Sequence, residues 1–99
     1  MTTERKKAGM DRLEEARIRI DEIDRRMAEL FRKRMEAVAA VAAHKQENGL
    51  PIFDVARERI VLERNAAAYA DEKTHDLYIA FLQDVMELSK RYQKRLLEP

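Results

Sequence analysis

The sequence predicts an all-α protein of three helices per chain, one long, one short and one medium, completed as an intertwined helical-bundle homodimer. Three observations lead there. Only two Gly and two Pro occur in 99 residues, and 39% of the residues are charged, amid plentiful Ala, Arg, Glu, Lys and Leu, a composition of helices rather than sheets. Leu13, Ala16, Ile20, Ile23, Met27 and Leu30 follow a 3-4 heptad spacing that continues at Ala37, Val38 and Val41, as in a helix packed along its whole length. A single chain of this size buries only about 60–65% of its unfolded surface, so a larger shared core would help.

The first helix is expected from about Asp11 to Asn48, a stretch with no Gly or Pro. At 1.5 Å per residue it would run roughly 55 Å, far beyond the usual globular helix, and needs partners along its length. Asn48-Gly49 ends it, with Gly just past the C-terminus and Pro51 preventing continuation. Asp54 reads as the N-cap of a second helix, Val55 to about Ala70, with Val55, Leu62, Ala66 and Tyr69 on one stripe. Asp71 to Thr74 is a short polar connection. A third helix runs from about His75 to Leu96, with Leu82, Val85, Met86, Tyr92 and Leu96 inward. Residues 1–10 form a basic extension, and residues 11–99 one domain without internal repeat or linker.

Composition excludes several function classes. Zero Cys removes disulfides, thiolate metal sites and thiol nucleophiles, and is compatible with a reducing compartment. Residues 1–10 carry no apolar run, so they read as neither secretory signal nor membrane anchor, and a cytoplasmic location is expected. Twenty basic residues face 19 acidic ones, mixed along the chain, a poor electrostatic footprint for nucleic acid. His44 and His75 read as surface residues with no metal ligands at usable spacing. Tyr69, Tyr78, Phe81, Phe31 and Phe53 read as core or interface.

Several polar residues fall on stripes that should be apolar. Arg34 sits at the seam between Leu30 and Val38, and Glu58 shares the face of Val55 and Leu62. Ser89 and Gln93, one turn apart, lie on the inward face of the third helix. Arg17 and Lys45 flank the seam of the first. A seam Arg taken alone is more often a register device or a snorkelling side chain, and a single Ser or Gln on a helix says little. The set says more, because unpaired buried charge is costly and these residues gather on three helices that must pack together. Arg34 and Lys45 are 11 residues apart, about 16 Å along the axis, within joint reach of one ligand. Arg17 lies 28 residues from Lys45, roughly 42 Å along a rigid helix, so it serves the same site only from a second copy running antiparallel. Two Arg and a Lys, with one carboxylate and one amide, suit a small dianion. With no nucleophile or metal set evident, catalysis there would work by conformational restraint and electrostatic stabilisation.

From about Leu13 to Leu96 this pattern resembles the all-helical chorismate mutase family, in particular the chorismate mutase domain of bacterial P-proteins. The matching segments are ARIRIDEIDRRMAELFRKRMEAVAAVAAHK, then GLPIFDVARERIVLER with its Asp-x-x-Arg-Glu motif, then MELSKRYQ. The resemblance implies conversion of chorismate to prephenate, a unimolecular Claisen rearrangement toward phenylalanine and tyrosine, with no cofactor. Carried over by position, Arg34 and the partner chain's Arg17 would hold the two carboxylates of the substrate. Lys45 and Gln93 would hydrogen-bond its ether oxygen, and Glu58 its ring hydroxyl. Ser89 would assist at a carboxylate, and Asp54 and Arg57 would help order the site. Asp54 is fully explained as a helix cap and Arg57 as a solvated first-turn residue, so only the resemblance brings these two to the site.

The same scaffold would also suit isochorismate pyruvate lyase or aminodeoxychorismate mutase activity, and a non-catalytic dimerisation module would use the charged seam for register alone. Glu58 and Gln93 beside Lys45 favour the mutase. The sequence carries no attached dehydratase, dehydrogenase, synthase or effector domain, which reads as monofunctional.

Overall fold

The computed structural model of the chain describes the backbone of residues 2–98 and the side chains of residues 11–98. Met1 and the side chains of the basic extension lie outside the described residues. Among those described, every regular element is a helix: α1 Thr2–Glu47, α2 Val55–Ala68 and α3 His75–Leu97. α1 begins nine residues before the expected Asp11. A single helical Gly costs only about 1 kcal/mol relative to Ala, which Gly9 does not turn into a stop. The chain divides into two compact units, Met1–Arg34 and Met35–Pro99.

In the first unit the heptad stripe is present but uncovered. Exposure runs from 45% at Met27 to 63% at Leu30, with Leu13, Ile20 and Ile23 between. A row of large apolar side chains this open is uncommon on a chain that folds alone.

The second unit holds the core. Ala42, Leu82, Val85 and Met86 are buried, and Ser89 and Gln93 are buried with them. On α3 the positions 82, 85, 86, 89 and 93 form one stripe at helical spacing, as the periodicity predicts. Tyr92 is half-buried. Leu96 at the end of that stripe and Val55 on α2 are exposed instead, since one chain supplies no cover for them.

The end of α1 is built as the sequence implies. Gly49 has φ +64°, the Leu50 amide donates to the Lys45 carbonyl at 2.8 Å, and the Gly49 amide donates to the Gln46 carbonyl at 3.4 Å. This pair of bonds is the Schellman arrangement, which satisfies carbonyls left over at the helix end. A Cβ at Gly49 would meet no atom within 4 Å, so only the backbone resists substitution. Gly49→Ala is expected to lower stability by about 1 kcal/mol through the left-handed φ alone, measurable as a fall in the midpoint of chemical denaturation at unchanged slope.

Asp54 caps α2, its Oδ1 accepting the Arg57 amide at 3.0 Å. Between α2 and α3, the Asp71 carboxylate accepts the Lys73 amide at 3.1 Å and the Thr74 hydroxyl at 2.8 Å, and the hydroxyls of Tyr69 and Thr74 are bonded to each other. Tyr69 stacks on Tyr78 with centroids 4.4 Å apart. His75 departs from its surface reading. It is half-buried, its Nε2 donates to the Ala66 carbonyl at 2.8 Å, and its ring meets Tyr69 edge-on. An apolar stripe says nothing about such a cross-turn bond.

Candidate active site

Six of the eight residues singled out from the sequence belong to the second unit: Lys45, Asp54, Arg57, Glu58, Ser89 and Gln93. Arg17 and Arg34 belong to the first, Arg17 exposed and Arg34 half-buried.

The last turn of α1 positions Lys45, whose carbonyl is already used by the Schellman bond. Its Nζ donates to the Ile52 carbonyl at 2.7 Å. Backbone and side chain of Lys45 thus hold Leu50 and Ile52 in the loop that leads to Asp54. Asp54 and Arg57 are both exposed. The cap engages Asp54 Oδ1 and the Arg57 amide, in line with their reading as helix cap and first-turn residue.

Glu58, in the first turn of α2, is half-buried with 26% of its side chain exposed, and it meets α3 through Lys90. The Lys90 ammonium lies 3.2 Å from Glu58 Oε2 and 3.5 Å from Oε1, and 3.1 Å from Glu87 Oε2. It also sits 4.3 Å from the centroid of the Phe53 ring, at cation–π distance. Partial desolvation pulls the Lys90 pKa down, but hydrogen bonds and charge from Glu87 and Glu58 outweigh it and hold the group above the ordinary lysine value. Sequence reasoning missed Lys90 and Phe53. Lys90 stands beside the inward stripe rather than on it, and its partner on α2 is 32 residues away; only its i,i+3 spacing from Glu87 was visible.

Ser89 and Gln93 lie one turn apart on the buried face of α3. Ser89 Oγ donates back to the Val85 carbonyl at 2.8 Å. Gln93 is 6% exposed, and its Oε1 has no hydrogen-bond partner among the described residues. A buried amide oxygen without a partner is uncommon, because it forfeits water without replacement. It marks a place where a polar group from outside the chain would be accepted. A half-turn about the last torsion of the side chain presents Nε2 there instead, so the position serves a donor or an acceptor.

Among the described residues no group of three or more His, Asp or Glu is arranged to hold a metal ion, and no helix is long and apolar enough to cross a membrane. Half-buried Lys45 and Lys90, the Glu58 carboxylate and the unsatisfied Gln93 amide are groups of the kind that bind a small polar ligand and stabilise charge developing on it.

Comparison with known proteins agrees with this chemistry. The family described as chorismate mutase type II matches residues 16–94. A chorismate mutase of Methanocaldococcus jannaschii is 31% identical over 90 residues, covering 90% of this chain and 91% of that protein. A bifunctional chorismate mutase/prephenate dehydratase of Buchnera aphidicola is 35% identical over 82 residues, 82% of this chain and 21% of that protein. The T-protein of Haemophilus influenzae is 41% identical over 54 residues, 54% of this chain and 14% of that protein. This chain therefore spans nearly all of one relative and about a fifth or less of the two others. No solved structure matches it significantly. The match of residues 16–94 takes in every residue singled out above, and the chain belongs to the chorismate mutase type II family.

Proposed function

We propose that residues 11–99 act as one cytoplasmic domain that converts chorismate to prephenate without a cofactor, at two equivalent sites shared across an intertwined homodimer. The open apolar stripe of α1 is the surface that a second copy would cover, antiparallel, so that Arg17 of each copy reaches the other's site. Arg34 and the second copy's Arg17 hold the two carboxylates of the substrate, with Ser89 assisting. These contacts select the compact conformer in which the bond-forming carbons face each other, replacing a search in solution with a bound geometry.

In the rearrangement the ether C–O bond breaks as the new C–C bond forms, and negative charge gathers on the ether oxygen. Lys45 and Gln93 donate to that oxygen, and Glu58 accepts from the ring hydroxyl. Asp54 and Arg57 keep the start of α2 in place. Lys45, which donates to the Ile52 carbonyl, has further ammonium protons to direct at the ether oxygen. The observation that carries the reading is the buried Gln93 amide with its unmet Oε1, one turn from Ser89 in a chain of this family.

The test is the decay of chorismate absorbance with purified protein, beside sedimentation of the same sample. Loss of chorismate with formation of prephenate by a dimer is the expected result. If chorismate persists while isochorismate is consumed, the chemistry is that of the lyase. If neither is touched, the catalytic reading falls.

A further inference from the structure

Lys90 and Glu87 have no place in the mechanism above, yet Lys90 is paired with the one carboxylate assigned to the substrate's ring. Lys90 contacts both oxygens of Glu58, and at 21% exposure its side chain is well shielded. Glu87 on the other side is 61% exposed, so water screens it far more than it screens Glu58. The charge that Lys90 offsets most effectively is therefore that of Glu58. The Phe53 face beneath the ammonium further restricts where that charge can sit.

A carboxylate has about four lone-pair sites, so Glu58 retains acceptor capacity for a neutral hydroxyl while paired to Lys90. A ligand ammonium at the same place would lie close to the Lys90 ammonium, both cations drawn to one carboxylate. We propose that Lys90 is a specificity-determining residue that fits the Glu58 subsite to a hydroxyl-bearing ring and rejects a ring carrying a protonated amine. The proposal rests on the assignment of Glu58 to the ring hydroxyl. Two unit charges a few ångströms apart at the dielectric of a partly exposed site change affinity by about tenfold or more. Discrimination of this kind is a difference between two ligands, reached through repulsion of the wrong one.

The experiment uses aminodeoxychorismate, in which an amine replaces the ring hydroxyl, as competitor of chorismate turnover by the full chain. The quantity read is its Ki divided by the KM for chorismate. Lys90→Met lowers this ratio by about tenfold, and Lys90→Arg, which keeps the charge, leaves it within about twofold of the wild type. Glu87→Gln moves it upward, because Lys90 then pairs with Glu58 alone. A purely structural role for Lys90 gives no such pair of opposite shifts. An unchanged ratio in a folded Lys90→Met protein that still turns over chorismate overturns the proposal. Should Lys90→Met not fold, an unchanged or lowered ratio in Glu87→Gln overturns it equally. Failure of the underlying assignment looks different: Glu58→Gln would then leave chorismate KM and kcat untouched.

Discussion

Gln93→Ala and Lys45→Ala each lower kcat for chorismate by about 10²–10³, with KM changed by less than about tenfold. Both side chains are assigned to an oxygen that is a weak acceptor in the ground state and a strong one once its bond to carbon lengthens. An interaction that strengthens only then lowers the barrier without tightening the bound substrate. Lys45→Ala also releases the Ile52 carbonyl, so it loses stability as well as rate. Gln93→Ala removes an amide whose Oε1 had no partner and is the cleaner test. Steady-state kinetics at saturating chorismate, with thermal unfolding of each variant, separate the two effects. A rise in KM at unchanged kcat for Gln93→Ala would assign that residue to ground-state binding instead.

Arg17→Ala and Arg34→Ala are each expected to abolish measurable turnover, and a refolded equal mixture of the two to regain about a quarter of wild-type activity. The figure follows from the geometry of a two-fold dimer. Half of randomly assembled dimers contain one chain of each kind. In such a dimer one site carries both lesions, while the other takes its Arg17 from the Arg34→Ala chain and its Arg34 from the Arg17→Ala chain. A mixture no more active than its components would mean that both arginines act within one copy. Half-exposed side chains from Leu13 to Leu30 give the shared arrangement its physical motive, since so open a stripe is costly in water unless covered.

What the sequence made legible was local or periodic. Asp54 was found as a cap because a capping side chain and its amide donor lie three residues apart, and Gly49 as a stop because only a left-handed residue closes that helix end. Ser89 and Gln93 stood out because α3 has a clear inward stripe, and the structure buries both. Long-range pairings were not legible. Nothing in spacing joins Glu58 to Lys90 or His75 to the Ala66 carbonyl, since both depend on how α2 meets α3. The exposure of Val55 and Leu96 was missed for a related reason. Periodicity reports which face is apolar and is silent on whether the cover comes from the same chain.

The unmet oxygen of Gln93 has a consequence for how this chain can change over generations. An unsatisfied buried acceptor costs about 1–3 kcal/mol, a sizeable part of what holds a domain of this length folded. Selection for persistence alone would favour an apolar side chain of similar volume at that position, filling the space without a polar atom to satisfy. Under the role proposed for Gln93, selection for turnover would oppose it. On that reading, position 93 is a point where a drifting copy of this sequence, once released from catalytic duty, would gain robustness by a single substitution and lose the reaction in the same step.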